Sequence, residues 1–126
     1  MTENDISYKI RGSIYQIYKV LGPGLLESVY EEALTYELEK NGLKVARQQE
    51  VPIIYDSREL KTPLRLDMLV EDKVIVELKS VSELQDIHFK QTLTYLRLLH
   101  KKLGILVNFN TEDILHGAIH RVVNGL

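Results

Sequence analysis

Two apolar runs, Arg65-Leu66-Asp67-Met68-Leu69-Val70 and Val74-Ile75-Val76-Glu77-Leu78-Lys79, flank a single polar stretch, Glu71-Asp72-Lys73. The pattern predicts an antiparallel hairpin turning in that stretch, and two registers compete. A two-residue turn pairs Val70 with Lys73, Asp67 with Val76 and Leu66 with Glu77, so apolar residues face charges throughout. A three-residue turn pairs Val70 with Val74, Met68 with Val76 and Leu66 with Leu78 on one unbroken apolar face. A one-residue slip would move every side chain to the opposite face, so the apolar pattern selects the three-residue turn. That loop length is ordinary for a hairpin, although the usual glycine is missing.

The same register sets Leu69 opposite Ile75, Asp67 opposite Glu77 and Arg65 opposite Lys79. Residues directly opposite have Cβ atoms roughly 4.5–5.5 Å apart. Two carboxylates that close repel unless a cation or a shared proton sits between them. Two acids with a lysine two residues on can hold a divalent metal beside a phosphate, which suggests metal-dependent phosphodiester chemistry. A solvated sheet face with cross-strand ion pairs, such as Asp67 with Lys79, accounts for the same residues, and both readings stand at this point.

Length and composition narrow the field. A chain of 126 residues predicts one domain spanning 1–126. Hydrophobic residues make up 44% and charged residues 27%, which is ordinary for a soluble globular protein. The absence of cysteine excludes disulfides, Cys-ligated zinc, iron–sulfur clusters and thiol catalysis, and it fits a cytoplasmic setting. No apolar run approaches membrane-spanning length, so no membrane partner is expected. The polar, acidic start Met1-Thr2-Glu3-Asn4-Asp5 is unlike a signal peptide. A net charge of −2 is unusual for a strong non-specific nucleic-acid binder. Binding to nucleic acid would rest on local cations (Arg47, Arg58, Lys61, Arg65, Lys73, Lys79 and His100-Lys101-Lys102), on metal or on a partner.

Elsewhere, Ile6, Ile10, Ile14, Ile17 and Leu21 are spaced by three and four and predict a helix over 6–20, ended by Gly22-Pro23-Gly24. A second helix is expected from Leu25 to Lys40, with Leu26, Tyr30, Ala33, Leu34 and Leu38 on one side and Asn41-Gly42 as its stop. Residues 44–55 read as a strand with an edge or bulge at Pro52, and Asp56-Ser57-Arg58 as a turn. Strands over 59–70 and 74–80 follow. Ser82 is the expected cap of a helix reaching His100. Gly104–Phe109 is an apolar run suited to a strand covered on both faces, and 117–123 supplies the last strand. The β-helix-β step from 74–80 to 104–109 implies a parallel crossover. The order predicts a mixed α/β fold with a central sheet flanked by helices.

Three further stretches join the hairpin. Gly24-Leu25-Leu26-Glu27-Ser28-Val29-Tyr30 fits GxxExxY; Gln91-Thr92-Leu93-Thr94-Tyr95-Leu96 and Gly104-Ile105-Leu106-Val107-Asn108-Phe109 follow. Together these resemble the GxxExxY protein family, a branch of the PD-(D/E)XK nuclease superfamily, from about residue 6 to residue 124. The resemblance implies a restriction-endonuclease-like α-β-β-β-α-β core. It implies that Asp67 is the acid ending the second core strand, that Glu77 and Lys79 form the ExK of the third, and that Glu27 is the acid of the first core helix. Gln91 takes the place of a polar residue that some members carry on the following helix. The proline of the PD pair is absent, since Leu66 precedes Asp67.

On this resemblance the cofactor is Mg²⁺ or Mn²⁺, held by Asp67, Glu77 and the carbonyl of Leu78, with Glu27 reaching the metal through water or adding a second one. Lys79 would position the attacking water and Gln91 would orient Lys79 or a phosphate. Arg65, Tyr30 and Tyr95 are candidates for touching the substrate. Tyr30 also suits packing with its hydroxyl bonded, and Tyr95 a hydrogen bond to Gln91. The expected partner is nucleic acid, DNA first, with a homodimer as the expected assembly. Superfamily members that bind without cutting supply the rival expectation, a non-catalytic nucleic-acid-binding or repair-accessory module. His88, His100, His116 and His120 show no metal-ligand spacing.

Overall fold

Helix α1 (Glu3–Leu21) starts at a reciprocal cap. The Thr2 hydroxyl accepts from the Asp5 N–H at 3.1 Å, and the Asp5 carboxylate accepts from the Thr2 N–H at 3.0 Å. The predicted face is the buried one, carrying Ile6, Ile10, Ile14 and Ile17. In the computed structural model, which describes residues 1–126, α1 is followed by α2 (Glu27–Lys40), β1 (Val45–Val51), β2 (Ile54–Tyr55) and β3 (Arg58–Glu59). Then come β4 (Leu64–Val70), β5 (Val74–Lys79), α3 (Asp86–Leu99), β6 (Leu103–Asn108) and β7 (Ile119–Val123).

Five strands form one sheet in the order β1-β4-β5-β6-β7, while β2 and β3 make a separate two-stranded arm. Strands β5 and β6 are parallel and the other neighbours antiparallel, as the crossover through α3 requires. Helices α1 and α2 cover one face against Met68, Val70, Val74, Val76, Leu78, Ile105 and Val107. Helix α3 covers the other with Tyr95 and Leu96, against Val51, Leu66, Leu69 and Ile75. Every residue of β6 is buried, matching its unbroken apolar run. The result is the mixed α/β, restriction-endonuclease-like architecture that the sequence predicts.

Several boundaries differ from expectation, each for a local reason. Helix α2 begins at Glu27, so Leu26 lies outside it and is 74% exposed. The strand expected over 44–55 stops at Val51, since Pro52 has no N–H to continue a ladder. The next expected strand is likewise split into β3 and β4. Helix α3 begins at Asp86 instead of after Ser82. The Asn108 side chain occupies the N–H and C=O of Val81, and the Gln85 N–H donates to His88 Nδ1 at 2.9 Å, so the first turn forms later.

The hairpin between β4 and β5 adopts the three-residue register, with Val70 opposite Val74, Leu69 opposite Ile75 and Met68 opposite Val76. Its turn places Glu71 and Asp72 at φ 53° and 54°, a conformation that usually favours glycine. Glu71 is held there from both ends by Lys44. Its N–H donates to the Lys44 carbonyl and its carboxylate accepts from the Lys44 N–H, each at 2.9 Å. The ladder stops at Met68 and Val76, so the expected ladder pairings of Asp67 with Glu77, Leu66 with Leu78 and Arg65 with Lys79 do not form. Leu66 packs on the α3 side instead.

Candidate active site

Where the ladder stops, the acids take over the hydrogen bonding. The Asp67 N–H donates to Glu77 Oε2 and the Leu78 N–H donates to Asp67 Oδ2, both at 2.8 Å. Each carboxyl group therefore grips the backbone of the other strand, and the pair bridges the point where β4 and β5 part. Glu77 is 4% exposed, and Asp67 is half-buried. Burial pushes the Glu77 carboxyl up, from 4.5 to about 9, and the nearby Asp67 charge adds to the rise; Lys79 opposes it. Burial and the neighbouring Asp67 charge thus both favour the protonated form of Glu77 when no cation is present, as expected of two adjacent carboxyls.

Lys79 is half-buried at the end of β5, two residues from Glu77 on the same face of the strand. It lies near enough to favour the ionised Glu77 but forms no ion pair within 4 Å with either acid. Tyr95 of α3 is buried beneath the pair. Burial raises its hydroxyl, and the charges of Glu77 and Asp67 raise it further.

Glu27, at the first turn of α2, approaches from the opposite layer. Its Oε1 accepts from the Ser80 N–H at 3.2 Å, and the Ser80 hydroxyl donates to the Leu25 carbonyl at 2.7 Å. These bonds fasten the start of α2 to the residue after Lys79. Glu27, Ser80 and Asn110 line a shallow depression beside Gly24 and Leu25.

The other predicted residues divide. Tyr30 is fully buried and stacked on Phe109 with ring centroids 4.1 Å apart. Its hydroxyl donates to the Gly22 carbonyl at 2.6 Å and accepts from the Leu25 N–H at 3.1 Å. Tyr30 holds the turn that delivers Glu27 and presents no surface to a substrate. Gln91 is exposed on α3 and makes no hydrogen bond to Tyr95. Arg65 turns away from Lys79 and pairs with Glu50 of β1 at 3.4 Å, which removes the like-charge contact expected across the hairpin. Among the other cations, Arg47 is taken by Glu31, Lys101 by Asp72, and Lys73 by the Met1 carbonyl.

Two contributors escaped the sequence reading. Asn108 is 7% exposed; its Oδ1 accepts from the Val81 N–H at 3.1 Å and its Nδ2 donates to the Val81 carbonyl at 2.9 Å. This clamp fixes the chain just past Lys79. Its only signal was a polar residue inside an apolar strand. Glu31 of α2 is 6% exposed and binds both Arg47 and Gln48 of β1, with no sequence signal separating it from its acidic neighbours.

The donor set fits a hard divalent cation. No group of three or more His, Cys, Asp or Glu side chains is gathered anywhere in the structure, so this centre offers two carboxyls. The N–H and C=O of a strand residue leave the strand on the same side, so the Leu78 carbonyl faces the β4 side with its N–H. Magnesium needs no more from protein, since it keeps several waters and takes one or two carboxylates plus substrate phosphate. His116 pairs with Asp113 at 2.8 Å and His120 with the Gly117 carbonyl at 2.9 Å, so neither joins the acids.

A family profile described as the PD-(D/E)XK nuclease superfamily matches residues 4–122. No curated protein and no solved structure matches the chain. Asp67 lies inside β4 and not at its end as expected, because β4 continues to Val70. With nearly its whole length covered by that profile, and with an acid within one strand beside a Glu-x-Lys on the next, the chain belongs to the PD-(D/E)XK nuclease superfamily.

Proposed function

We propose that the protein is a Mg²⁺- or Mn²⁺-dependent phosphodiesterase acting on DNA. The observation that carries this reading is the interlocked pair, in which Asp67 and Glu77 hold each other's strands where the sheet opens. An acid that is buried and driven to hold a proton beside a second acid is costly to retain for structure alone, and a divalent cation relieves both burial and repulsion. Within the superfamily, Gly24, Glu27 and Tyr30 supply the GxxExxY pattern, and we place the chain in that branch.

In this reading Asp67, Glu77 and the Leu78 carbonyl hold the ion. When bound, the ion supplies Lewis-acid polarisation of the phosphate and activation of water. Lys79 orients the attacking water and offers positive charge to the developing phosphorane oxygens. Glu27 holds the Ser80 end of the strand and stands ready for a second, water-mediated contact. Tyr95 packs under the acids and excludes water from Glu77. Tyr55, Arg58 and Lys61 on and beside the exposed arm extend the reach toward a substrate.

The test is cleavage of labelled single-stranded, duplex, flapped and branched DNA, and of RNA, with Mg²⁺, Mn²⁺ or EDTA. Cutting that requires both metal and Asp67 supports the reading. Lys79→Ala should lower kcat about 100-fold, or ~2.7 kcal/mol, with metal affinity nearly unchanged. A folded wild-type protein that binds these substrates without cutting any of them would instead identify a binding module.

A further inference from the structure

Strands β1 and β4 turn over together at the level of Asp67. Ala46 and Val51 of β1 pack in the α3-side cluster although five residues separate them, and Leu69 and Leu66 of β4 share it although three do. Strict alternation would put residues an odd number apart on opposite faces. Each strand therefore changes face once in between. On β4 the change falls between Leu66 and Asp67, both of which face α3. On β1 it falls at Gln48, whose φ is 49°. The regular pairs Arg47 with Met68 and Gln49 with Leu66 leave out the intervening Gln48 and Asp67.

A non-glycine residue in the left-handed region needs a surrounding structure that enforces it. Here the enforcement comes from the neighbouring layer. Gln48 Nε2 donates to Glu31 Oε1 at 2.6 Å, while Arg47 Nε and Nη2 donate to Glu31 Oε2 at 3.1 and 3.0 Å. Consecutive strand residues normally point to opposite faces, so a single acid on α2 can collect both only if the backbone turns between them.

The geometry points to Glu31 as a positioning residue for the Asp67–Glu77 pair. From α2 it holds Gln48 in the left-handed conformation and keeps the β1–β4 ribbon turned over. That turnover parts β4 from β5 at Asp67 and leaves the Asp67 and Leu78 N–H groups to the carboxyl groups. Were the ribbon to relax, the flat ladder would extend past Met68 and Val76, and those N–H groups would return to backbone partners. The functional consequence rests on the reading that the pair holds a divalent cation; the positioning itself does not.

The experiment compares Glu31→Ala, Glu31→Gln, Gln48→Val and Gln48→Gly by amide hydrogen exchange and by Mn²⁺ binding followed by electron paramagnetic resonance. Glu31→Ala and Gln48→Val should lose protection at the Asp67 and Leu78 amides about tenfold or more, with Ile105 and Val107 of β6 unchanged. Mn²⁺ affinity should fall by about the same factor. Glu31→Gln, which still accepts from Gln48, should restore most of both. Gln48→Gly should retain the protection, because glycine holds the left-handed region without a tether. A uniform loss across all strands, or wild-type protection and Mn²⁺ affinity in both Glu31→Ala and Gln48→Val, overturns the inference. Gln48 is exposed, so its two variants decide the matter even if Glu31→Ala does not fold. Wild-type protein with protected amides but no Mn²⁺ binding overturns the metal reading, and the amide pattern still decides the positioning.

Discussion

Glu77 sets the protein's response to pH. In the unfolded chain its carboxyl titrates near 4.5, and in the folded, metal-free protein it holds its proton to about 9. Between those values the native state binds a proton that the unfolded state has released, so stability falls as pH rises. The stabilising contribution is complete below 4.5, declines across the window and is gone above about 9. Its slope is at most about 1.4 kcal/mol per pH unit for one proton. Urea melts at pH values of about 5, 7 and 9 should show wild type losing stability relative to Glu77→Gln, which cannot ionise. Parallel curves for the two proteins would mean that Glu77 is already ionised in the fold. Added Mg²⁺ should flatten or reverse the contrast, because a cation entering the pair displaces the proton and, binding more tightly as pH rises, stabilises wild type most where the metal-free protein is weakest.

Among the elements, α3 and β6 fit at close quarters. A Cβ at Gly104 would lie 2.9 Å from Thr92 Cγ2, so Gly104→Ala should cost about 1–3 kcal/mol by overpacking. Thr92→Ser removes that methyl while keeping a hydroxyl for the bond to the His88 carbonyl. The double variant should recover most of the loss in a chemical-denaturation series, and no recovery would place the cost elsewhere. The elements also show what a sequence reading can reach. The Val70–Val74 register and the four isoleucines of α1 were legible because burial imposes periods of two and 3.6 on apolar residues. Asp67, Glu77 and Lys79 were legible as charges breaking such a period. The turnover at Gln48 was not, because a glutamine at positive φ leaves no trace in hydrophobic pattern. It moved Leu66 to the other face and Arg65 to Glu50. Glu31, Asn108 and the start of α3 depend on side-chain bonds between segments distant in the chain, which no local pattern encodes.

The whole molecule places the acid pair at the parting of β4 and β5 in one continuous sheet, with the arm of β2 and β3 held outside it. No helix is long and apolar enough to cross a membrane. The arm leaves the sheet between Val51 and Leu64, which are themselves paired, and it exposes Ile54 and Tyr55 at 62% and 72%. With few buried contacts it should open before the sheet does. Limited proteolysis should therefore nick first within residues 53–61, and the nicked protein should keep the melting behaviour of its core. A first cut inside α1 or α3 would show that the layers are less firmly joined than their packing implies.

The tip of that arm, Asp56-Ser57, has a further use. The chain contains no cysteine, so Ser57→Cys would carry its sole thiol, exposed, outside the buried core and apart from the acids. A fluorophore attached there alone could report the arrival of a polyanion at the arm without any reagent reaching the metal-binding residues. The hairpin that contributes least to stability thereby becomes the place from which the protein can be watched.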